Sequence, residues 1–123
     1  MYEVRVEKTI ACAHRLFDYD GPCEALHGHN YRVEVTYAGS KTDRFGMLAD
    51  FTVIKQAFHK VLEQLDHKYL NDLAAFKDIS PSAENIAKHI FDVLGSANFE
   101  FAKLSAVAVW ETPTQVAVYR LNE

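Results

Sequence analysis

No stretch of this 123-residue chain stays apolar for anything near the ~18 residues that a membrane-spanning helix needs. No charged-then-apolar leader is visible either, so the expected compartment is the cytoplasm. Basic residues are too few to serve nucleic acid. Thirteen Lys and Arg stand against 17 Asp and Glu, a formal charge of −4, and no basic run occurs. Cysteine is scarce as well. Cys12 and Cys23 could in principle pair, but beside histidines in a cytosolic chain they read as reactive groups or ligands rather than as a disulfide. Repeats, linkers and low-complexity segments are absent, so residues 1–123 are expected to form one domain, long enough for a real core.

What is present is alternation, then helical periodicity, then alternation again. Tyr2, Val4, Val6, Lys8, Ile10, Cys12 and His14 share one parity and read as a strand. Asp18, Asp20, Gly21 and Pro22 mark a loop. A second strand follows, with His27 and His29 on the apolar parity of Tyr31, Val33, Val35 and Tyr37. Asp50 is a candidate N-cap for a helix whose apolar residues Phe51, Ile54, Phe58, Val61, Leu62 and Leu65 recur at helical spacing, ending near Asp66-His67. Ser80 or Ser82 can cap a second helix, with Pro81 tolerated in its first turn. Ala83, Ile86, Ala87, Ile90, Phe91 and Leu94 are its stripe, and Gly95 is its stop. Two strands close the chain, 104–111 and 115–121. The order β-β-α-α-β-β predicts an α+β fold, a four-stranded antiparallel sheet with two helices on one face. On the third strand Val107 and Val109 take one parity, and Leu104, Ala106, Ala108 and Trp110 the other. Both faces are apolar, so the uncovered one needs a partner and the chain is expected to oligomerise.

Chemistry concentrates in the run CEALHGHNY at 23–31. Histidines two apart on an extended chain point to one face, so His27 and His29 can reach a single ion, with His14 completing a set from the first strand. A lone histidine is ordinarily a surface or hydrogen-bonding residue. Three in this arrangement favour a metal, with a fourth position left open as in a catalytic zinc site. Nickel, copper and iron also accept imidazole. Cys23, in a polar loop just before this element, reads as a nucleophile or base. Cys12, in an alternating strand, reads as core filler. Asp66-His67 is either a solvated helix end or a proton relay. Glu111 is either a solvated strand end or a carboxylate that grips a flat N–C–N edge by two hydrogen bonds. His59 and His89 receive no function.

AHRL at 13–16, CEALHGHNY at 23–31, DFTVIK at 50–55, LDHKYLND at 65–72, SPSAEN at 80–85, WET at 110–112 and VYR at 118–120 together resemble the 6-pyruvoyl-tetrahydropterin synthase family. The likeness spans nearly the whole chain. The short Cys23-to-His27 spacing is most similar to the 6-carboxy-tetrahydropterin synthase branch of the queuosine precursor pathway. The resemblance implies His14, His27 and His29 as zinc ligands and Cys23 as the catalytic proton acceptor. It implies Asp66 and His67 as a relay, and Glu111 as the anchor of the pterin ring. Ser82 and Glu84 are candidate pterin contacts. Arg15, beside His14, is a candidate for the triphosphate. It further implies the tunnelling fold (T-fold), with trimers closing a barrel, two trimers stacking into a homohexamer, and active sites between subunits. The implied reaction takes 7,8-dihydroneopterin triphosphate to 6-carboxy-tetrahydropterin, acetaldehyde and triphosphate. The alternatives are pyruvoyl-tetrahydropterin formation, and a noncatalytic zinc-binding module. Cys12, where a small residue such as alanine is expected, and Ala83, where a second hydroxyl is common, depart from the family pattern.

Overall fold

The computed structural model describes residues 1–16, 27–95 and 99–121, with His27 described by its backbone. Strand β1 (Tyr2–His14) pairs antiparallel with β2 (His27–Gly39) along its full length. Helix α1 (Phe51–Glu63) and a short strand β3 (Lys68–Tyr69) follow. Then come helix α2 (Ala83–Leu94) and the hairpin β4 (Lys103–Thr112) and β5 (Gln115–Arg120). The sheet has the order β3-β1-β2-β4-β5. It therefore has five strands rather than four, and it is mixed, because β3 runs parallel to β1. A two-residue strand carries no periodicity of its own, which is why alternation alone does not reveal it.

One sheet face holds the core. Tyr31, Val33, Val35 and Tyr37 of β2 are fully buried. They lie opposite Ile10 of β1 and Val109, Val107 and Leu104 of β4. Leu104 is thus on the same face as Val107 and Val109, not on the opposite one. A bulge at Thr36/Tyr37 gives β4 an extra residue, Ser105, and resets its parity. Helix α2 covers β4 and β5, and α1 packs on β1 and α2. Ile54, Phe58, Val61 and Leu62 of α1 and Ala83, Ile86, Ala87, Ile90 and Leu94 of α2 face inward. Each large side chain so buried contributes roughly 1.5–3 kcal/mol. Phe51 is 50% exposed and lies outside the stripe.

The caps follow from side-chain chemistry. Asp50 accepts a bond from the Thr52 amide at 2.8 Å and starts α1. Ser82, not Ser80, caps α2, so Pro81 lies just outside the helix rather than in its first turn. Helix α1 stops at Glu63, short of Asp66-His67. Gly39 is required by a close approach, since a Cβ there would overlap the Phe101 carbonyl oxygen. Among the described residues no helix is long and apolar enough to cross a membrane.

Candidate active site

The far end of the β1–β2 ladder gathers the chemistry. Cys12 lies opposite His29, and His14 opposite His27. Directly opposed residues of an antiparallel pair share a face, so the register aims Cys12, His14 and His29 toward the helix-covered side. His14 is buried, at 1% exposure. Its ring meets His29 edge to face, with centroids 5.4 Å apart. The Tyr31 hydroxyl stands 3.1 Å from both His14 nitrogens. His14 Nδ1 lies 2.6 Å from the Pro81 carbonyl oxygen. A carbonyl only accepts, so Nδ1 donates in this bond, and in the neutral ring Nε2 then carries the lone pair.

Glu111 arrives from β4 at a second irregularity in the ladder, between Trp110 and Thr112. This places its carboxylate with His14 and His29, and the ligand atoms of all three lie within 4.8 Å of one another. They are the one such group among the described residues. The donors suit a divalent ion of zinc type. Zinc at ~2.0–2.1 Å from tetrahedral donors sets them about 3.3–3.4 Å apart, and these donor atoms all lie within 4.8 Å of one another. Cys12 is not in this group. Its thiol is buried and its pKa is pushed up to about 12, chiefly by burial and further by the negative charge of Asp66. At neutral pH it stays protonated and packs as a small apolar group.

Asp66 and His67 sit where the chain leaves α1 and turns back along β1. Asp66 Oδ1 accepts from the Ala11 amide at 2.9 Å and lies 3.0 Å from His67 Nδ1. The His67 amide donates to the Ala11 carbonyl at 2.6 Å. The Ala11 bond holds the Asp66 carboxyl below its ordinary pKa, helped by His67 and opposed by burial. His67 has φ of 60°, in the left-handed region that His enters more readily than most non-glycine residues. Its ring stands largely in solvent, 81% exposed.

Two hollows flank these groups. One, of about 480 Å³, is lined by Cys12, Gly28, His29 and His67 together with neighbouring β1, β2 and β3 backbone. The other, of about 380 Å³, lies over Glu111, Glu84, Gln115 and Val116–Val118. Glu111 therefore faces the second hollow and belongs to the imidazole group as well. Ser82 is committed to capping α2, and Glu84 is exposed at the rim of the hollow. Arg15 is exposed, and its backbone is clamped by Asn71, which accepts from the Arg15 amide and donates to its carbonyl, both at 2.8 Å. Cys23 lies outside the described residues, as does the side chain of His27. Sequence reasoning missed Asn71, Asn85, the Pro81 carbonyl and the Ala11 amide. The spacing of LND and SPSAEN to the histidines was the available signal, and a backbone atom announces itself in no sequence.

Residues 3–122 match the family model described as 6-pyruvoyl tetrahydropterin synthase. A relative from Synechocystis sp., 6-carboxy-5,6,7,8-tetrahydropterin synthase, is 37% identical over 97% of this chain and 93% of its own. The 6-pyruvoyl tetrahydrobiopterin synthase of Dictyostelium discoideum is also 37% identical, over 81% of this chain and 74% of its own. Among solved structures, 6-pyruvoyl tetrahydropterin synthase of Caenorhabditis elegans superposes with a TM-score of 0.84 at 29% identity, covering 99% of this chain and 98% of that one.

Proposed function

This chain belongs to the 6-pyruvoyl tetrahydropterin synthase family, and from that premise we propose that it is a zinc-dependent lyase. Its substrates are 7,8-dihydroneopterin triphosphate and one water, and it releases triphosphate and acetaldehyde to leave 6-carboxy-5,6,7,8-tetrahydropterin, the water supplying the second carboxyl oxygen. One observation supports this most: His14, His29 and Glu111 converge, and His29 shares a hollow with His67. His14 and His29, with His27, would hold the ion. Bound there, zinc supplies Lewis acidity toward the oxygens of the substrate side chain.

The chain's own residues do the rest. Glu111 faces a hollow wide enough for a flat ring and accepts from the amino and ring N–H edge of the pterin. Asp66 holds the Nδ1–H of His67, which leaves Nε2 of that exposed ring to carry protons to and from the side-chain carbons and hydroxyls. A thiolate at Cys23 removes the opposing proton, while Cys12, buried and protonated, takes no part. Arg15 offers a guanidinium to the departing triphosphate.

The equal identity to the Dictyostelium pyruvoyl enzyme supports a second reading, in which triphosphate is eliminated and the three-carbon side chain is kept. Mass spectrometry of products from the triphosphate substrate, with acetaldehyde trapped as a hydrazone, separates the two. Equimolar acetaldehyde and a 6-carboxy product are expected. A product that retains all side-chain carbons selects the pyruvoyl reading. Zinc binding without turnover or affinity for dihydropterins leaves only a noncatalytic zinc module.

A further inference from the structure

Helix α2 and the metal-site histidine are joined by one short bond. His14 Nδ1 meets the carbonyl of Pro81, 67 residues away in sequence, at 2.6 Å. Pro81 is buried and immediately precedes the cap of α2, so its carbonyl is not consumed by the helix. The first helical carbonyl is that of Ser82, which accepts from the Ile86 amide at 2.9 Å. Both neighbours of Pro81 are tied to a single residue, Asn85. The Asn85 amide N–H donates to Ser82 Oγ at 3.2 Å, and its side-chain Nδ2 donates to the Ser80 carbonyl at 2.8 Å. The first bond is the ordinary half of a capping box. The second is different, since it reaches past the cap and pins the residue on the far side of Pro81.

We infer that Asn85 is a positioning residue of the metal site. It brackets Ser80-Pro81-Ser82, so that the Pro81 carbonyl is presented to His14 and holds this ring in the tautomer that offers Nε2 to the ion. The inference rests on the reading of His14 as a metal ligand. An imidazole in water prefers its proton on Nε2, which is the wrong nitrogen for that geometry. The Pro81 carbonyl reverses the preference because it can only accept. Partners of this kind, bonded to the far nitrogen of a ligating histidine, contribute about 10–100-fold to metal affinity.

The test compares Asn85→Asp, Asn85→Ala, Ser82→Ala and His14→Ala with the unaltered protein. Asn85→Asp keeps the size of the side chain and puts an acid in the first helical turn, where the dipole favours it, but it has no amide donor for Ser80. Zinc affinity is read by competition with a chromophoric chelator. The His14 tautomer is read from ring 15N shifts of the metal-free protein. The unaltered protein should carry its proton on Nδ1. Asn85→Asp and Asn85→Ala should bind zinc about 10–100-fold more weakly and shift the His14 proton toward Nε2. Ser82→Ala should lower thermal stability yet change zinc affinity less than Asn85→Asp does. If His14→Ala binds zinc as tightly as the unaltered protein, His14 is no ligand and the underlying reading fails. If His14→Ala loses zinc while both Asn85 variants keep it, the positioning role alone is overturned. The same holds if the unaltered protein carries the His14 proton on Nε2, a result that needs no variant to fold.

Discussion

Cys12 and His29 face each other across the β1–β2 ladder, and their surroundings give them opposite fates. Burial raises the Cys12 pKa to about 12, so the thiol is neutral at any physiological pH. In the native protein at pH 8, iodoacetamide should therefore alkylate Cys23 and spare Cys12, which should react only after denaturation. Peptide mass mapping reads this directly, and rapid native labelling of Cys12 would contradict the assignment. The sign for stability follows. A thiol with a raised folded pKa costs nothing below its ordinary value of 9.0 and destabilises the fold as pH climbs from there toward 12. Cys12→Ala should remove that alkaline component and leave turnover nearly unchanged.

Glu111 poses a sharper question, because its carboxylate lies both against the imidazoles and in the hollow beside Glu84. A site closed by a fourth protein ligand is structural, whereas a catalytic one keeps a position open. On that ground Glu111→Gln should retain one zinc per chain and lose dihydropterin affinity by about 10–100-fold, the worth of a hydrogen bond to a charged group at roughly 1.5–3 kcal/mol. Calorimetry with a dihydropterin, beside zinc analysis, decides it. Loss of zinc with the pterin affinity intact would make Glu111 a ligand instead.

At the scale of elements, β3 exists because Asp66 and His67 grip Ala11 from both sides: carboxylate to amide, and amide to carbonyl. The pair thus closes the sheet edge as well as carrying the proposed proton relay. The depressed Asp66 pKa means that its contribution is present above the ordinary value of 3.8 and is lost as pH falls through the lower folded value. Acid unfolding followed by circular dichroism should show this loss below pH 3.8, and Asp66→Asn should flatten it. An unchanged acid limb would mean that the Ala11 bond does not couple to folding. These links explain what could be read in advance. Helical spacing located both helices, since Ile54, Phe58 and Leu62 of α1 and Ile86 and Ile90 of α2 fill the core. Parity failed at Leu104, because a one-residue bulge leaves no mark on composition. The placement of His14 beside His29 followed from strand alternation. The bond from His14 to Pro81 did not, since it ends on a backbone atom.

At the scale of the molecule, no helix among the described residues covers the second sheet face. Both helices lie on the other side, and the uncovered face carries Trp110 and Ala108 of β4 with Val116 and Val118 of β5. Val116 and Val118 are 43% and 44% exposed. The Arg32 guanidinium lies 4.4 Å over the Trp110 ring and pairs with Glu7. Exposed ion pairs of that kind contribute only ~0–1 kcal/mol, so they flank the apolar patch without satisfying it. Among the described residues, β3 shields only the Cys12–Ala13 end of the outer edge of β1, and β5 has no neighbour on its far side. An apolar patch on β4 and β5, beside the open edge of β5, predicts self-association through sheet contacts. Light scattering after size exclusion should give a multiple of the 14.0 kDa chain mass. Trp110 is the single tryptophan, so its emission reports on this face alone. Dilution through the dissociation range should shift that emission to the red, as water reaches the ring. Val118→Lys places a charge in the patch and should produce the red shift and the smaller species without dilution. A monomer at micromolar concentration, with emission indifferent to both dilution and Val118→Lys, would show that this face is stable in water as it stands. It would also remove the physical reason for placing the active sites between subunits.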